Sequence, residues 1–278
     1  MIDAIIRQTG LILPLVLGGY ISLSLLKLPD LSLESAYLFG AVLATTAPSI
    51  GCVPLIMAII GGATVGLISG SIHQYGKIPF LLTAILTNGL FHGASQYILQ
   101  TGMKSVTFCP FSQILEPYNE LFLICFVGAL LLTISFFLLR SQFGYSLAIY
   151  GNNPNFFPQH GLSTRYVVIT GLMIAGSFGG ISGYLFSISN GFVDITIGYG
   201  VVLLTITALV FGKKVTNKEK PSILCPLIGV FIYLFLQEII LAIGIPMKYF
   251  LAIQACTVLT LVLVVQKKQF VTHEHLGV

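Results

Sequence analysis

The stretch from residue 35 to residue 72 reads SAYLFGAVLATTAPSIGCVPLIMAIIGGATVGLISGSI, and it decides the fold class of this chain. It carries no charged side chain along its 38 residues. A helix that crosses a bilayer needs about 20 mostly apolar residues, so the stretch is long enough for two spans. We place the break between them at Thr45 to Ser49, because Pro48 lacks a backbone N–H and interrupts a helix.

Composition extends this interpretation to the whole chain. Of the 278 residues, 56% are hydrophobic and 8% are charged, whereas an average globular domain has about 25% charged residues. So few charges cannot cover a soluble surface, and so many apolar residues exclude a disordered chain. The net charge of +4 carries no nucleic-acid signal. The sequence predicts an all-α, polytopic integral membrane protein.

The same length rule predicts about nine transmembrane helices, within a range of about 8 to 10. They are 9–27, 32–49, 51–72, 78–98, 119–139, 166–188, 196–212, 221–244 and 249–266. With the N-terminus outside, the inner connections hold ten lysines and arginines and the outer segments hold three. This bias predicts a multi-pass membrane protein with a cytoplasmic C-terminus.

Glycines recur at intervals of four in two predicted spans. The set comprises Gly62, Gly66 and Gly70 in one span, and Gly176 with Gly180 and Gly179 with Gly183 in another. Small residues at this spacing let helix backbones approach closely. The pattern predicts helix packing within one chain, and a face for a second copy is the alternative.

Two regions of the chain are similar to each other. Gly10-Leu11, six residues and Gly18-Gly19 match Gly171-Leu172, six residues and Gly179-Gly180. Each region leads to an acidic motif, Asp30-Leu31-Ser32-Leu33 or Asp194-Ile195-Thr196-Ile197. An odd number of predicted spans separates the two starts, which inverts the second copy, and inverted repeats are typical of transporters. We therefore divide the single transmembrane domain into a first repeat 1–139, a cytoplasmic loop 140–165, and a second repeat with a cytoplasmic tail 166–278.

Polar residues within the spans admit two interpretations. Asp30 with Ser32, and Asp194 with Thr196, suit the N-terminal ends of helices that begin one residue after each aspartate. Alternatively, these helices begin partway into the bilayer and flank a polar pathway, since intramembrane acids are functional candidates. Two further sets are candidates for the pathway or for hydrogen bonds between helices: Glu238, and Asn88 with His92, which share a helix face.

The inner connection reads RSQFGYSLAIYGNNPNFFPQHGLSTR from residue 140 to residue 165. Asn153 suits an N-cap, Pro154 the first helical position and Gly161 a C-cap, so we expect a helix of about two turns there. Pro158 is unfavourable inside that helix, because it removes a donor. A short cytoplasmic helix between two spans would suit the docking of a soluble partner.

This connection resembles the coupling segment of ABC-importer permeases of the branched-chain amino acid and ribose type. The resemblance rests on Arg140, Phe143-Gly144, Gly151, Asn153-Pro154 and Gly161-Leu162. It continues in Gly191-Phe192-Val193-Asp194-Ile195, in Gly198-Tyr199-Gly200 and upstream in Leu28-Pro29-Asp30-Leu31-Ser32, so it covers nearly the whole chain in order. It is strongest with the subgroup of uncharacterised or aromatic-amino-acid permeases. The chain departs from the family at Ile149-Tyr150, where an arginine is usual, and at Lys213, where an acid is frequent.

The resemblance implies a permease subunit that works as a pair, a homodimer in the simplest case. Two cytoplasmic ABC ATPase subunits would grip the 140–165 segments. An extracytoplasmic solute-binding protein would deliver a small polar solute, such as an amino acid, to segments 99–118 and 189–195. The chain lacks the G-x-x-x-x-G-K-[ST] phosphate loop, so ATP hydrolysis belongs to a partner. We therefore expect no enzymatic activity and no cofactor in this chain.

Two other classes of membrane protein compete with this interpretation. An ion-coupled secondary transporter also suits inverted repeats, with Asp30, Asp194 and Glu238 as ion sites. It has no need of the structured inner loop. An integral membrane enzyme requires clustered histidine, aspartate or cysteine, whereas the histidines here are scattered along the chain.

Overall fold

The computed structural model describes residues 2–48, 52–106, 118–216, 222–243, 249, 252–257 and 259–260. Helix α1 (Ile2–Gly19) continues into a π-helical turn (Tyr20–Leu25). The other helices are α2 (Ser32–Thr46), α3 (Val53–Gly76), α4 (Phe80–Leu99), α5 (Tyr118–Arg140), α6 (Gln142–Asn152), α7 (Phe156–Gln159), α8 (Thr164–Asn190), α9 (Val201–Thr216) and α10 (Leu224–Ala242). Two three-residue strands, β1 (Met103–Ser105) and β2 (Phe192–Asp194), pair in antiparallel fashion. The all-α, polytopic prediction is confirmed, with this ribbon as an addition.

The predicted break in the long apolar run is confirmed. Helix α2 ends at Thr46, and Ala47 has extended backbone angles of −71° and 148°. Helix α3 begins at Val53 with Pro54 in its first turn. Proline is tolerated there because the first N–H groups of a helix have no partner within the helix.

Four helical segments of the described chain are long and apolar enough to cross a membrane. They are Ile5–Leu25, Val53–Gly76, Thr164–Asn190 and Leu224–Ala242. A fifth follows if α5 and α6 form one span bent by 68°. The count of nine stays a prediction. Helices α2 and α9 have only 15 and 16 residues, fewer than the roughly 20 that cross a bilayer. Each therefore covers only part of the membrane.

The helix expected directly after Asp194 begins later than predicted. Residues 195–200 form successive turns, and α9 begins at Val201 instead of at residue 195 or 196. Gly200 has a φ of +81°, a left-handed conformation that the interior of an α-helix excludes. The predicted span 196–212 is therefore a turn segment followed by a shorter helix.

The packing predicted from the glycine spacing occurs within one chain. Gly62 lies against the backbone of Gly176, and Gly66 lies against the backbone of Leu172. As numbers rise along α3 they fall along α8, so the two helices run antiparallel. Gly179 and Gly183 pack on α2. These glycines let α8 occupy the centre of the protomer, and they are not the face for a second copy.

The two similar regions of sequence lie in α1 and α8, which also run antiparallel. The Ser182 hydroxyl donates to the Leu11 carbonyl, while Gly18, further along α1, lies against Ala175. Helix α1 contacts α9 and α10, as α8 contacts α2 and α3, and α9 packs on α10 as α2 packs on α3. This is the arrangement that an inverted repeat predicts for its two copies.

Candidate functional site

A sharp bend joins α5 to α6 at the start of the connection 140–165. Ser141 forms the bend: its backbone is extended, its hydroxyl donates to the Leu138 carbonyl at 2.6 Å, and its oxygen accepts from the Gly144 N–H at 3.3 Å. A Cβ on Gly144 would meet the carbonyl of Leu138 and lie 2.8 Å from the Cα of Leu139. The 68° bend therefore requires glycine at position 144. Arg140, just before the bend, packs its guanidinium 4.3 Å from the centre of the Phe136 ring.

Helix α6 packs against the C-terminal end of the first span, at Leu25 to Lys27. Gly151 lies against the carbonyl of Leu25, where any side chain would clash. The Lys27 ammonium donates to the Asn152 side-chain oxygen at 2.6 Å. Leu147 and Tyr150 are buried beneath the helix, and Phe143 packs on the same core. A push on α6 would therefore be transmitted to the end of α1.

The helix predicted from Asn153 to Gly161 is shorter than expected. Asn153 ends α6 as its C-cap and does not start the next helix, and Pro154 lies between the two. Helix α7 is a single turn, Phe156–Gln159. The burial of Leu147 and Tyr150 extends α6 to Asn152 and leaves less room for α7. The Asn153 side chain still braces this connection, because it accepts from the Asn155 N–H at 3.2 Å.

Gly161 closes α7, as predicted. Its φ is +69°, the Leu162 N–H donates to the Phe157 carbonyl at 2.8 Å, and the Gly161 N–H donates to the Pro158 carbonyl at 3.1 Å. These are the two bonds of a Schellman motif. Pro158 costs little, since it occupies the first turn, where the N–H has no partner.

The surface of this connection suits a protein partner. Phe157 is 5% exposed and anchors α7 to the core, whereas Leu162 is 57% exposed. Most residues from Asn152 to Ser163 face away from the protein. Tyr145, on α6, adds a further large exposed side chain to this end of the molecule. We call residues 140–165 the coupling segment from here on.

The two acidic motifs adopt the same local geometry. The Ser32 N–H donates to Asp30 Oδ1 at 2.9 Å, and the Thr196 N–H donates to Asp194 Oδ1 at 2.9 Å. At Asp30 this bond, with a second from the Ser32 hydroxyl at 2.6 Å, stabilises the start of α2. At Asp194 it stabilises the turn segment 195–200. The hydrogen bonds of the capping interpretation are present at both aspartates, although only Asp30 is followed directly by a helix.

Glu34 is the polar residue that the sequence interpretation missed. It lies on α2 and accepts hydrogen bonds from the Gly200 N–H, at 3.2 Å, and from the Val202 N–H, both at the start of α9. Its carboxylate therefore caps a helix whose first residue lies 167 positions along the chain, and it complements the positive end of that helix. Glu34 lies inside a predicted span, and this was the signal that could have identified it.

Glu34, Asn88, His92 and Tyr199 come together where α2 and α9 begin. The Asn88 side chain hydrogen-bonds to Glu34, and the ring centres of His92 and Tyr199 are 5.7 Å apart. We call these four residues the polar cluster. The structure thus unites Asn88 and His92 with a residue from each short helix region. Glu238 lies half-buried on α10, outside this set.

Helix lengths place the polar cluster near the middle of the membrane. From Glu34 to the end of α2 at Thr46 the chain climbs about 18 Å, and from Val201 to Lys213 on α9 it climbs about 18 Å, at 1.5 Å per residue. The hydrocarbon core is about 30 Å thick. If Thr46 and Lys213 lie at opposite surfaces of the membrane, the N-terminal ends of these two partial helices meet at mid-depth, an arrangement that transporters use for solute sites.

The two segments that we expect to contact a binding protein, 99–118 and 189–195, are paired through the ribbon. Lys104 in β1 opposes Val193 in β2, and Met103 opposes Asp194. The ribbon thus joins part of 99–118 to part of 189–195. Residues 107–117 lie outside the described residues.

The chain matches the family described as "Branched-chain amino acid transport system / permease component" over residues 1–263. It is 32% identical to an uncharacterised protein of Rickettsia prowazekii, over 86% of this chain and 89% of that one. It is 28% identical to the tyrosine transport system permease protein of Clostridioides difficile, over 87% and 84%. It is 24% identical to the autoinducer 2 import system permease protein of Escherichia coli, over 70% and 57%. No solved structure matches it. These relatives do not favour the ion-coupled alternative.

Proposed function

The chain belongs to the family of permease components of branched-chain amino acid transport systems, and from this premise we propose that it carries a small polar solute such as an amino acid. It is a transmembrane permease subunit of an ABC importer and a multi-pass inner-membrane protein. The family works with an ATPase and a binding protein. That this chain's solute is an amino acid is supported by the tyrosine transport permease among its relatives.

The coupling segment is the observation that carries the proposal. It projects exposed side chains around a one-turn helix, and α6 links that surface to the end of α1 through Gly151 and Lys27. We assign shaping roles to Arg140, Phe143, Gly144, Gly151, Asn153, Pro154 and Gly161. A cytoplasmic ATPase that closes on ATP would push on this surface. The movement would reach the membrane helices through the α5–α6 bend.

The membrane part supplies the pathway. Asp30 with Ser32, and Asp194 with Thr196, hold the starts of the two short helix regions, and Asn88 and His92 face the space between protomers. We propose a homodimer in which two such faces enclose the route. The N-terminus lies outside, the coupling segment inside, and the β1–β2 ribbon faces the binding protein. The division into repeats at 1–139 and 166–278, and a pathway role for Glu238, belong to the same proposal.

Co-purification with the ATPase tests the coupling role. We would express the permease with a candidate ABC ATPase from the same genome and compare Gln159→Glu/Leu162→Glu with the wild type. Both positions are exposed on the coupling segment. The matched control is Gln100→Glu/Met103→Glu, which changes the same residue classes on the outer ribbon side.

Wild type and control should retain the ATPase, whereas the coupling-segment variant should release it and still elute as folded protein. If both variants retain the ATPase equally, or the wild type binds none, the coupling role is wrong.

A further inference from the structure

The polar cluster carries an inference about what the pathway recognises. We infer that Glu34, Asn88, His92 and Tyr199 form a mid-membrane contact site for the ammonium group of the transported solute. This inference rests on the proposed function and deepens it, because it names the chemical group that the pathway selects and the residue that selects it.

The charge of the Glu34 carboxylate favours a cationic ligand. The partners of Glu34 are the N–H groups of Gly200 and Val202 and the side chain of Asn88. All of these are neutral donors, and no lysine or arginine of the described chain is among them. In its ionised form, the Glu34 carboxylate would therefore place a negative charge without a basic partner near the middle of the membrane. An ammonium group would neutralise that charge, whereas an anionic solute would be repelled by it.

Glu34 and Asn88 also have hydrogen-bonding positions left for a ligand. When Glu34 is ionised its carboxylate only accepts hydrogen bonds, and Asn88 then presents its NH₂ group to it. This orientation leaves the amide oxygen of Asn88 to accept from another donor. A carboxylate has about four lone-pair sites, of which the three partners use three. The site can therefore offer an ammonium group one carboxylate position and one amide oxygen.

The other three residues of the polar cluster are accessible to a ligand. Asn88 and His92 are half-buried, and Tyr199 is 61% exposed, so all three reach the outer surface of the protomer at mid-depth. Polar side chains at that depth face protein or a water-filled cavity, not lipid. The rings of His92 and Tyr199 also lie 5.7 Å apart with 30° between their planes. The face of a tyrosine ring attracts ammonium groups, so Tyr199 would complete the site.

Saturation-transfer NMR on the permease in lipid nanodiscs tests the inference without any ATPase. The first probes are L-tyrosine and L-leucine. Two analogues of tyrosine follow: tyramine, which keeps the ammonium group but lacks the carboxylate, and 3-(4-hydroxyphenyl)propionate, which keeps the carboxylate but lacks the ammonium group. The variants are Glu34→Gln, which is nearly isosteric and uncharged, and Asn88→Leu. The matched control is Thr133→Val on α5, where an exposed hydroxyl bonds its own helix at Ala129.

The wild type and the control should give signals with the amino acids and tyramine but not with the propionate. Glu34→Gln should weaken binding of the ammonium probes at least tenfold while the variant still elutes as folded protein. Equal binding by Glu34→Gln, equal binding of the propionate, or no binding of any ammonium probe by the wild type would overturn the inference. None of these results depends on the coupling segment, so the proposed function would fail separately.

Discussion

The contact between α3 and α8 allows a quantitative prediction about the centre of the protomer. A Cβ at position 62 would lie 2.7 Å from the carbonyl carbon of Gly176, and one at position 66 would lie 2.5 Å from that of Leu172. Ordinary van der Waals contact begins near 3.4 Å, so Gly62→Ala/Gly66→Ala must push the two backbones apart. Overpacking of this kind costs about 1–3 kcal/mol per site, or about 2–6 kcal/mol for the pair.

Helix α4 provides the matched control for that prediction. Gly89 and Gly93 have the same spacing, and a Cβ at either position meets nothing within 4 Å. The gain in helix propensity from glycine to alanine, about 1 kcal/mol per site, is common to both pairs of substitutions and cancels in the comparison. The difference between the pairs therefore isolates the cost of separating α3 from α8.

Unfolding by SDS titration in mixed micelles, followed by circular dichroism, measures this difference. The chain contains no tryptophan, so intrinsic tryptophan fluorescence is not an option. We expect the Gly62/Gly66 pair to be less stable than the Gly89/Gly93 pair by about 2–6 kcal/mol. A difference below about 0.5 kcal/mol, the usual range of neutral surface changes, would refute the close approach of these helices.

Three further predictions concern the Glu34 cap, the α5–α6 bend and the register of the β1–β2 ribbon. Glu34→Ala should lower the free energy of unfolding by about 1–2 kcal/mol, since it removes the cap of α9, and Glu34→Gln should lower it less; an equal loss in both would contradict the capping role. Gly144→Val should open the α5–α6 bend and reduce ATPase retention, as measured by co-purification, and full retention would count against the bend. Cysteines at Lys104 and Val193, in a background without the native cysteines, should form a disulfide, because opposed strand residues lie within bridging distance. Absence of the crosslink on a non-reducing gel would disprove the register.

Much of the fold could be predicted because its signals are local. Apolar runs of span length, the proline at residue 48 and the glycines spaced by four each act within one or two helices. The inverted repeat stays a prediction, which the shared geometry of the motifs at Asp30 and Asp194 supports. The end of α7 was predicted correctly because Gly161 supplies a left-handed conformation that few residues adopt.

The errors arise where tertiary contacts decide local structure. Asn153 is a residue type that favours the N-cap position. The burial of Leu147 and Tyr150, however, extends α6 to Asn152, so that Asn153 becomes its C-cap. The start of α9 moves to Val201 because residues 195–200 descend along α2, which brings Gly198 against Glu34. The role of Glu34 depends on a partner 166 residues away, a separation that no spacing rule on a single sequence reveals.

Solute uptake in a reconstituted system tests directly whether the chain is part of an ATP-driven importer. Proteoliposomes would contain the permease and its ATPase, with the solute-binding protein outside and radiolabelled L-tyrosine as the first probe. The account predicts uptake that requires ATP inside and the binding protein outside, and that is lost in Gln159→Glu/Leu162→Glu. Uptake that follows an imposed proton or sodium gradient without ATP would contradict it.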